Sequence, residues 1–158
     1  MIPALRHAEL TTGSASDIAA IERVMAHAFE PKYGESWSRG QCLGVLAMPG
    51  VWLTLAHASD DIVGFALARA VLDEAELLLL AVMPKARRRG IGAALLRSVI
   101  AEARGRGIAR LHLEVRAGNS AIPLYDAAGF DKVGARRAYY RGANGRAYDA
   151  HSYALRLA

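Results

Sequence analysis

The stretch from Glu76 to Ile100, ELLLLAVMPKARRRGIGAALLRSVI, decides how the rest of the chain folds around it. Leu77 to Met83 is a continuous apolar run, too short for a helix of its own and long enough for a strand buried on both faces. Pro84 ends it, because proline has no N–H to give a ladder. Next comes Arg87-Arg88-Arg89-Gly90-Ile91-Gly92, and then Ala93, Ala94, Leu95, Leu96, Val99 and Ile100 at helical spacing. The order is strand, basic glycine-containing loop, helix. Such a loop can aim several backbone N–H groups at one point, and the helix dipole adds positive potential there. Three arginines at a helix start oppose that dipole, so they imply either a bound anion, such as a pyrophosphate, or a plain solvated turn.

Working outward, the upstream chain reads as turns between apolar segments. A strand is expected over Ala4–Leu10, then a polar loop in which Ser16 or Asp17 caps a helix carrying Ile18, Ile21, Val24, Met25, Ala28 and Phe29 on one face. Pro31 and Gly34 break it. Ser36 or Ser38 can start a second helix toward Met48. Pro49-Gly50 marks a turn, Val51–Ala56 a strand, Ser59-Asp60-Asp61 a hairpin connection, and Ile62–Leu72 the returning strand. Asp73-Glu74 turns into the central strand, so these neighbours should be antiparallel.

Downstream, Arg104-Gly105-Arg106-Gly107 stops the helix. Leu111, Leu113 and Val115 alternate with His112, Glu114 and Arg116 at strand period. A loop with Asn119 leads to a short helix with Ile122, Leu124, Tyr125 and Ala128. Gly129 ends it and Phe130 starts another strand. Arg136–Tyr140 and Ala147–Leu157 would be the last two strands, around the Gly142–Gly145 turn. The expectation is one α/β domain over residues 1–158, built on a mixed sheet with a central strand–glycine loop–helix unit.

Composition narrows the function classes. The net charge of +5 concentrates in the three-arginine loop rather than along a face interleaved with aromatics, which argues for a polyphosphate ligand over nucleic acid. No apolar run approaches a membrane span, and MIPALRHAEL has no apolar targeting core, so a cytoplasmic protein with no membrane contact is expected. A single cysteine, Cys42, excludes an internal disulfide framework, and the five scattered histidines lack metal-ligand spacing, so no metal is expected.

Arg87-x-x-Gly90-x-Gly92 after an apolar strand resembles the acetyl-CoA signature of the GCN5-related N-acetyltransferases (the GNAT superfamily). From about Val71 to Leu157 the chain resembles its RimI type, which acetylates protein N-termini. The resemblance rests on Leu80-Ala81-Val82-Met83-Pro84, Leu113-Glu114-Val115-Arg116-Ala117-x-Asn119, Leu124-Tyr125-x-x-x-Gly129-Phe130 and Arg136-Arg137-x-Tyr139-Tyr140. It is much looser before Val51. The spacing from Asn119 to Tyr125 is one residue shorter than is usual in that type.

The resemblance implies a mostly antiparallel GNAT sheet and acetyl-CoA as the acyl donor. Leu80, Ala81 and Val82 would pair with the pantetheine arm as if it were a strand. Arg88, Arg89, Gly90, Ile91, Gly92 and Ala93 would hold the pyrophosphate, Arg87 would belong to the same donor site, and Asn119 would touch the donor; read alone, Asn119 is equally a helix cap. Glu114 would be the base toward an attacking amine and Tyr125 the acid toward sulfur. Their plain alternatives are a strand carboxylate paired with Arg116 or His112, and a core tyrosine. Tyr33, Trp37, Tyr139 and Tyr140 would flank an acceptor peptide.

Acidity weighs on the choice of acceptor. With ordinary pKa values of about 7.7–8.0 for an α-amine and about 10.4 for lysine, roughly a third of the former is neutral near pH 7.5 and about a thousandth of the latter. The expected acceptor is therefore a protein N-terminus, and by resemblance that of a small-subunit ribosomal protein. A small amine or lysine acceptor, or a non-catalytic acyl-CoA-binding protein, are the alternatives.

Overall fold

Tight turns after Ala58 and after Val71 fold the upstream apolar segments into an antiparallel meander. In the computed structural model, which describes residues 8–158, β1 (Glu9–Thr12), β2 (Val51–Ala58), β3 (Asp61–Val71) and β4 (Glu74–Val82) lie side by side in that order. Beyond them β5 (Arg110–Arg116) joins β4 in parallel. β7 (Ala147–Arg156) pairs antiparallel with β5, and β6 (Asp131–Arg141) forms the edge, giving the order β1-β2-β3-β4-β5-β7-β6. The mixed, mostly antiparallel sheet anticipated above is therefore present.

Four α-helices dress this sheet among the described residues: α1 (Ile18–Ala28), α2 (Arg39–Leu46), α3 (Ile91–Gly105) and α4 (Ile122–Ala127). Val63 to Ala68 of β3 are buried without interruption, so both faces of the sheet centre are covered. α1 and α3 both pack on β3 and β4. Ile21, Val24 and Met25 of α1 and Leu95, Leu96 and Val99 of α3 are almost fully buried. Each such side chain withdrawn from water contributes about 1.5–3 kcal/mol before chain entropy is counted.

Local expectations needed four corrections. The first strand occupies Glu9–Thr12, pinned by a hydrogen bond between Thr11 Oγ1 and His57 Nε2 (2.8 Å); the expected residues Ala4 to His7 lie outside the described residues. Ser14, rather than Ser16 or Asp17, starts the first helical turn, in a capping box where the Asp17 carboxylate accepts from Ser14 N–H. Ser38 caps α2 as foreseen, reciprocally with Gln41. The segments expected to start at Phe130 and at Arg136 form one strand, β6, because it absorbs the break as a bulge around Ala138, whose φ is 52°. Finally, β4 is not buried on both faces: Leu77, Leu79 and Ala81 are buried, while Leu78, Leu80 and Val82 face an open cleft and are half-buried.

Candidate active site

β4 and β5 run together only briefly. Glu74–Leu77 pair with Arg110–Leu113, and past that point no hydrogen bonds join the two strands. Each stays tied on its far side, β4 to β3 as far as Val82 and β5 to β7 as far as Arg116. The gap is thus a stable fork rather than a frayed end. A bulge helps to open it: Ala68 faces Leu77 and Leu67 faces Leu79, leaving Leu78 as the extra residue in β4. The fork exposes one edge of β4 from Leu78 to Val82, a row of backbone donors and acceptors that an amide-bearing chain can use as a strand partner.

The fork opens into a cavity of about 500 Å³. At its upper end Gly90 takes φ 76° before α3, and the first helical hydrogen bond runs from Ala94 N–H to Gly90 O (2.9 Å). The N–H groups of Ile91, Gly92 and Ala93 therefore have no helical carbonyl, and all three residues line the cavity together with Arg88. Donors of this kind suit the pyrophosphate end of an acyl-CoA, and the forked strand edge suits its amide-bearing arm.

The three arginines of the loop have different surroundings. Arg87 donates from Nε to Val82 O (3.2 Å) and from its terminal nitrogen to Ala28 O (2.8 Å), while its backbone N–H is bound to Pro84 O. It staples the end of β4 to the end of α1, and it lines the cavity beside Arg88. Arg89 is exposed and lies outside the cavity wall.

The far wall is the β5–α4 connection. The Asn119 side chain accepts from Ala121 N–H (2.8 Å), as a cap would, and donates to Glu35 Oε2 (2.7 Å). Pro123 falls in the first turn of α4, so the shortened spacing still delivers Tyr125 to the cavity. Tyr125 stacks edge-on to Phe130 (5.9 Å between ring centroids) and is almost wholly buried. Burial, and secondarily the negative charge of Glu35, hold its phenol above the ordinary range, so it stays protonated and able to donate.

Glu114 enters from β5. Its partners are neither His112 nor Arg116: Arg136 Nε approaches one carboxylate oxygen at 3.0 Å, and Ser152 Oγ donates to the other at 2.9 Å. Tyr140 OH donates to the Glu114 carbonyl (3.4 Å), and Tyr139 stands edge-on to Tyr140 at 4.9 Å. Burial first, then Glu35, raises the Tyr140 phenol as well.

Glu35, which no local pattern singles out, organises this side. Its other oxygen accepts from Arg116 Nε (3.1 Å), and both side chains are about nine-tenths buried. The Arg116 guanidinium lies 3.6 Å from the centre of the Tyr33 ring. Tyr33 in turn meets Tyr148 edge-on at 5.1 Å, and Pro31 O accepts from Ala143 N–H (3.0 Å). The α1–α2 loop is thereby clasped to the β6–β7 turn. A Cβ on Gly142 would overlap the Lys32 carbonyl, and one on Gly34 the Arg141 carbonyl, so this approach requires glycine on both strands of the clasp. Tyr33, Trp37, Tyr139 and Tyr140 all line the same cavity as Glu114 and Tyr125.

Residues 18–130 match the acetyltransferase (GNAT) family. A ribosomal protein bS18-alanine N-acetyltransferase of Salmonella typhimurium is 46% identical over 96 residues, 60% of this chain and 65% of that protein. The match thus spans just under two thirds of that relative's length. The enzyme of the same name from Haemophilus ducreyi is 37% identical over 123 residues, 77% of this chain and 83% of its own. The crystal structure of the ribosomal-protein-S18-alanine N-acetyltransferase from Escherichia coli superposes with a TM-score of 0.86 at 33% identity, covering 96% of this chain and 94% of that one.

Proposed function

The chain belongs to the acetyltransferase (GNAT) family, and on that premise we propose that it transfers the acetyl group of acetyl-CoA to the N-terminal α-amine of a protein. The preferred acceptor is a small-subunit ribosomal protein of the bS18 kind that its relatives are named for. The observation that carries this reading is the forked β4–β5 cleft with a protonated phenol, Tyr125, and a carboxylate, Glu114, in its walls.

In this reading acetyl-CoA is the donor substrate and supplies a thioester carbonyl to be attacked. Backbone groups of Leu80, Ala81 and Val82 hold its amide-bearing arm in the fork, and the free N–H groups of Ile91, Gly92 and Ala93 with the Arg88 side chain hold its pyrophosphate. Asn119, fixed by Glu35, borders the arm. Glu114 takes a proton from the acceptor's ammonium, directly or through one water, and Arg136 and Ser152 hold its carboxylate in place for that step. Tyr125 gives its proton to the departing sulfur. Tyr33, Trp37, Tyr139 and Tyr140 flank the acceptor's leading residues.

The test pairs two acceptors and follows CoA release. One peptide carries a ribosomal-protein N-terminus with its α-amine free; the other has that amine blocked and a lysine free. Turnover confined to the first is expected. Turnover confined to the second would replace the N-terminal acceptor by a side-chain amine, and binding of acetyl-CoA without turnover of either would leave a donor-binding protein.

A further inference from the structure

A second hollow, of about 390 Å³, opens below the fork, where β4 and β5 are still paired. Glu76 and Leu78 line both it and the larger cavity, so the two are joined. Its walls come from the end of α2 and the β3–β4 turn, and they are apolar: Val45, Met48, Val71, Leu72 and Leu78. Leu72 is 94% exposed and takes φ 57°, a left-handed conformation that glycine or asparagine adopts at less cost. Val71 and Met48 stand exposed on the same hollow. An apolar cluster displayed in this way is a surface built for contact.

Three carboxylates line the same hollow, Asp73, Glu74 and Glu76, in a chain whose net charge is +5. None of the three enters an ion pair or a side-chain hydrogen bond among the described residues. The cations nearby do not neutralise them by contact. Arg69, the register partner of Glu76 on β3, donates from Nε to Pro49 O (3.2 Å). His112 stands opposite Glu76 on β5, and Arg110 opposite Glu74, without forming an ion pair. Apolar walls that lead to free carboxylates suit one class of side chain, a long aliphatic stem with a cationic head.

We propose that this hollow is a specificity subsite for the acceptor, taking an arginine or lysine side chain about four residues after the acceptor's N-terminus. The inference rests on the acetyl-transfer reading above and states which N-termini that reaction selects. Glu114 follows the last β4–β5 pair, Leu77 with Leu113, so it leaves the sheet beside Leu78. From there Glu74 lies back along β4 by about 13 Å at the rise of a strand. An acceptor with its amine at Glu114 and its chain extended down this seam covers that span in about four residues. The stem of the basic side chain lies on Met48, Val71 and Leu72, and its head meets Glu74 and Asp73. A short or anionic side chain gains neither contact, so the hollow sorts N-termini by a residue remote from the reacting amine.

The experiment measures kcat/KM at saturating acetyl-CoA for free-α-amine peptides. A single arginine is moved along an otherwise neutral chain from the third residue to the eighth, and one peptide carries none. In the wild type, arginine at the fourth to sixth residue should raise kcat/KM about tenfold over the peptide without it, chiefly through KM. Added salt should shrink that gain. Asp73→Asn combined with Glu74→Gln should cut the gain to less than about threefold. Leu72→Gly should halve it, roughly, while the melting temperature holds or rises, because glycine relieves the left-handed position. The exposed Glu9→Gln, far along the sheet, should keep the full gain. The gain is a ratio within one protein, so a general loss of activity cancels. No preference, an equal preference at every position, or a gain that survives the paired substitution would overturn the proposal. So would self-association that Leu72→Gly abolishes, which would give the hollow to a second copy of the chain. Silence of the wild type with every amine would instead remove the acetyl-transfer reading, and this inference with it.

Discussion

The donor side and the acceptor side of the cleft are built in opposite ways. The donor side is nearly local: the β4 edge, the glycine loop and the first turn of α3 all fall between Leu78 and Ala94, and backbone geometry shapes most of it, with the Arg87 side chain as its tie to α1. The acceptor side gathers the α1–α2 loop, the end of β5, β6 and the β6–β7 turn, and joins them through side chains far apart in sequence. Glu35 reaches 81 residues to Arg116 and 84 to Asn119. A site half made by the backbone and half by one buried ion pair should fail in halves.

Glu35→Ala tests that division and should have the largest effect. It leaves the Arg116 guanidinium buried without its partner, a change that typically costs about 3–5 kcal/mol. Thermal or chemical unfolding should register that loss, and KM for the acceptor peptide should rise at least about tenfold as the clasp loosens. Affinity for acetyl-CoA, followed by titration calorimetry, should fall less, by about threefold, since Asn119 is the one donor contact that Glu35 holds. Equal loss of donor and acceptor binding would show that the two sides are one cooperative unit.

Tyr125→Phe comes next and asks whether the far wall does chemistry or packing. The ring contacts to Phe130 and Tyr153 survive the change, so the melting temperature should hardly move. If the phenol delivers the proton to sulfur, kcat should fall about 100-fold with donor affinity unchanged. Full activity would return Tyr125 to the status of a core residue.

The same division explains what was legible in the sequence. The strand, loop and helix around Gly90 could be read off because apolar period, proline and glycine act on neighbouring residues, and the motif order from Leu113 to Tyr140 singled out Glu114 and Tyr125, which both line the cavity. Glu35 was invisible because nothing near it marks it; its meaning lies in Arg116 and Asn119, which only the folded chain brings within reach. The tie of Arg87 to α1 was hidden for a related reason: the loop motif shows its charge but not the Ala28 carbonyl that accepts from it. Glu76 is a charge between Ala75 and the six apolar residues Leu77–Val82 that finish β4, and its side chain's lack of a partner is a three-dimensional fact. Strand order likewise follows from where β7 inserts between β5 and β6, which local periodicity does not encode.

A milder change probes the donor side alone. A Cβ on Gly92 would lie 3.5 Å from Leu124 Cδ2, an ordinary contact, so Gly92→Ala fits the folded chain. Alanine in a helix is favoured over glycine by up to about 1 kcal/mol, so the melting temperature should hold or rise. If the pyrophosphate lies against this backbone, the Kd for acetyl-CoA should still rise about tenfold, equivalent to about 1.4 kcal/mol. An unchanged Kd would move the phosphates away from the α3 N-terminus.

The smallest expected effect is one of stability, and it sets Glu76 apart from the buried Glu35–Arg116 pair. Burial raises the Glu76 carboxyl above its ordinary 4.5, so between that value and the folded one the native state binds more protons than the unfolded chain. Its contribution to stability is therefore fully present below pH 4.5 and lost as pH rises through the folded pKa. At pH 7.5 the wild type holds an unpartnered charge in the groove wall, and Glu76→Gln should melt slightly higher. Below pH 4.5, where the carboxyl is neutral in both states, the two curves should converge. A variant less stable than wild type at pH 7.5 would mean that the carboxylate is held by a favourable contact, contrary to its open position. The predicted pattern, a substitution that strengthens the fold at pH 7.5 and is neutral below pH 4.5, would mark Glu76 as a carboxylate held without a partner at some expense to stability.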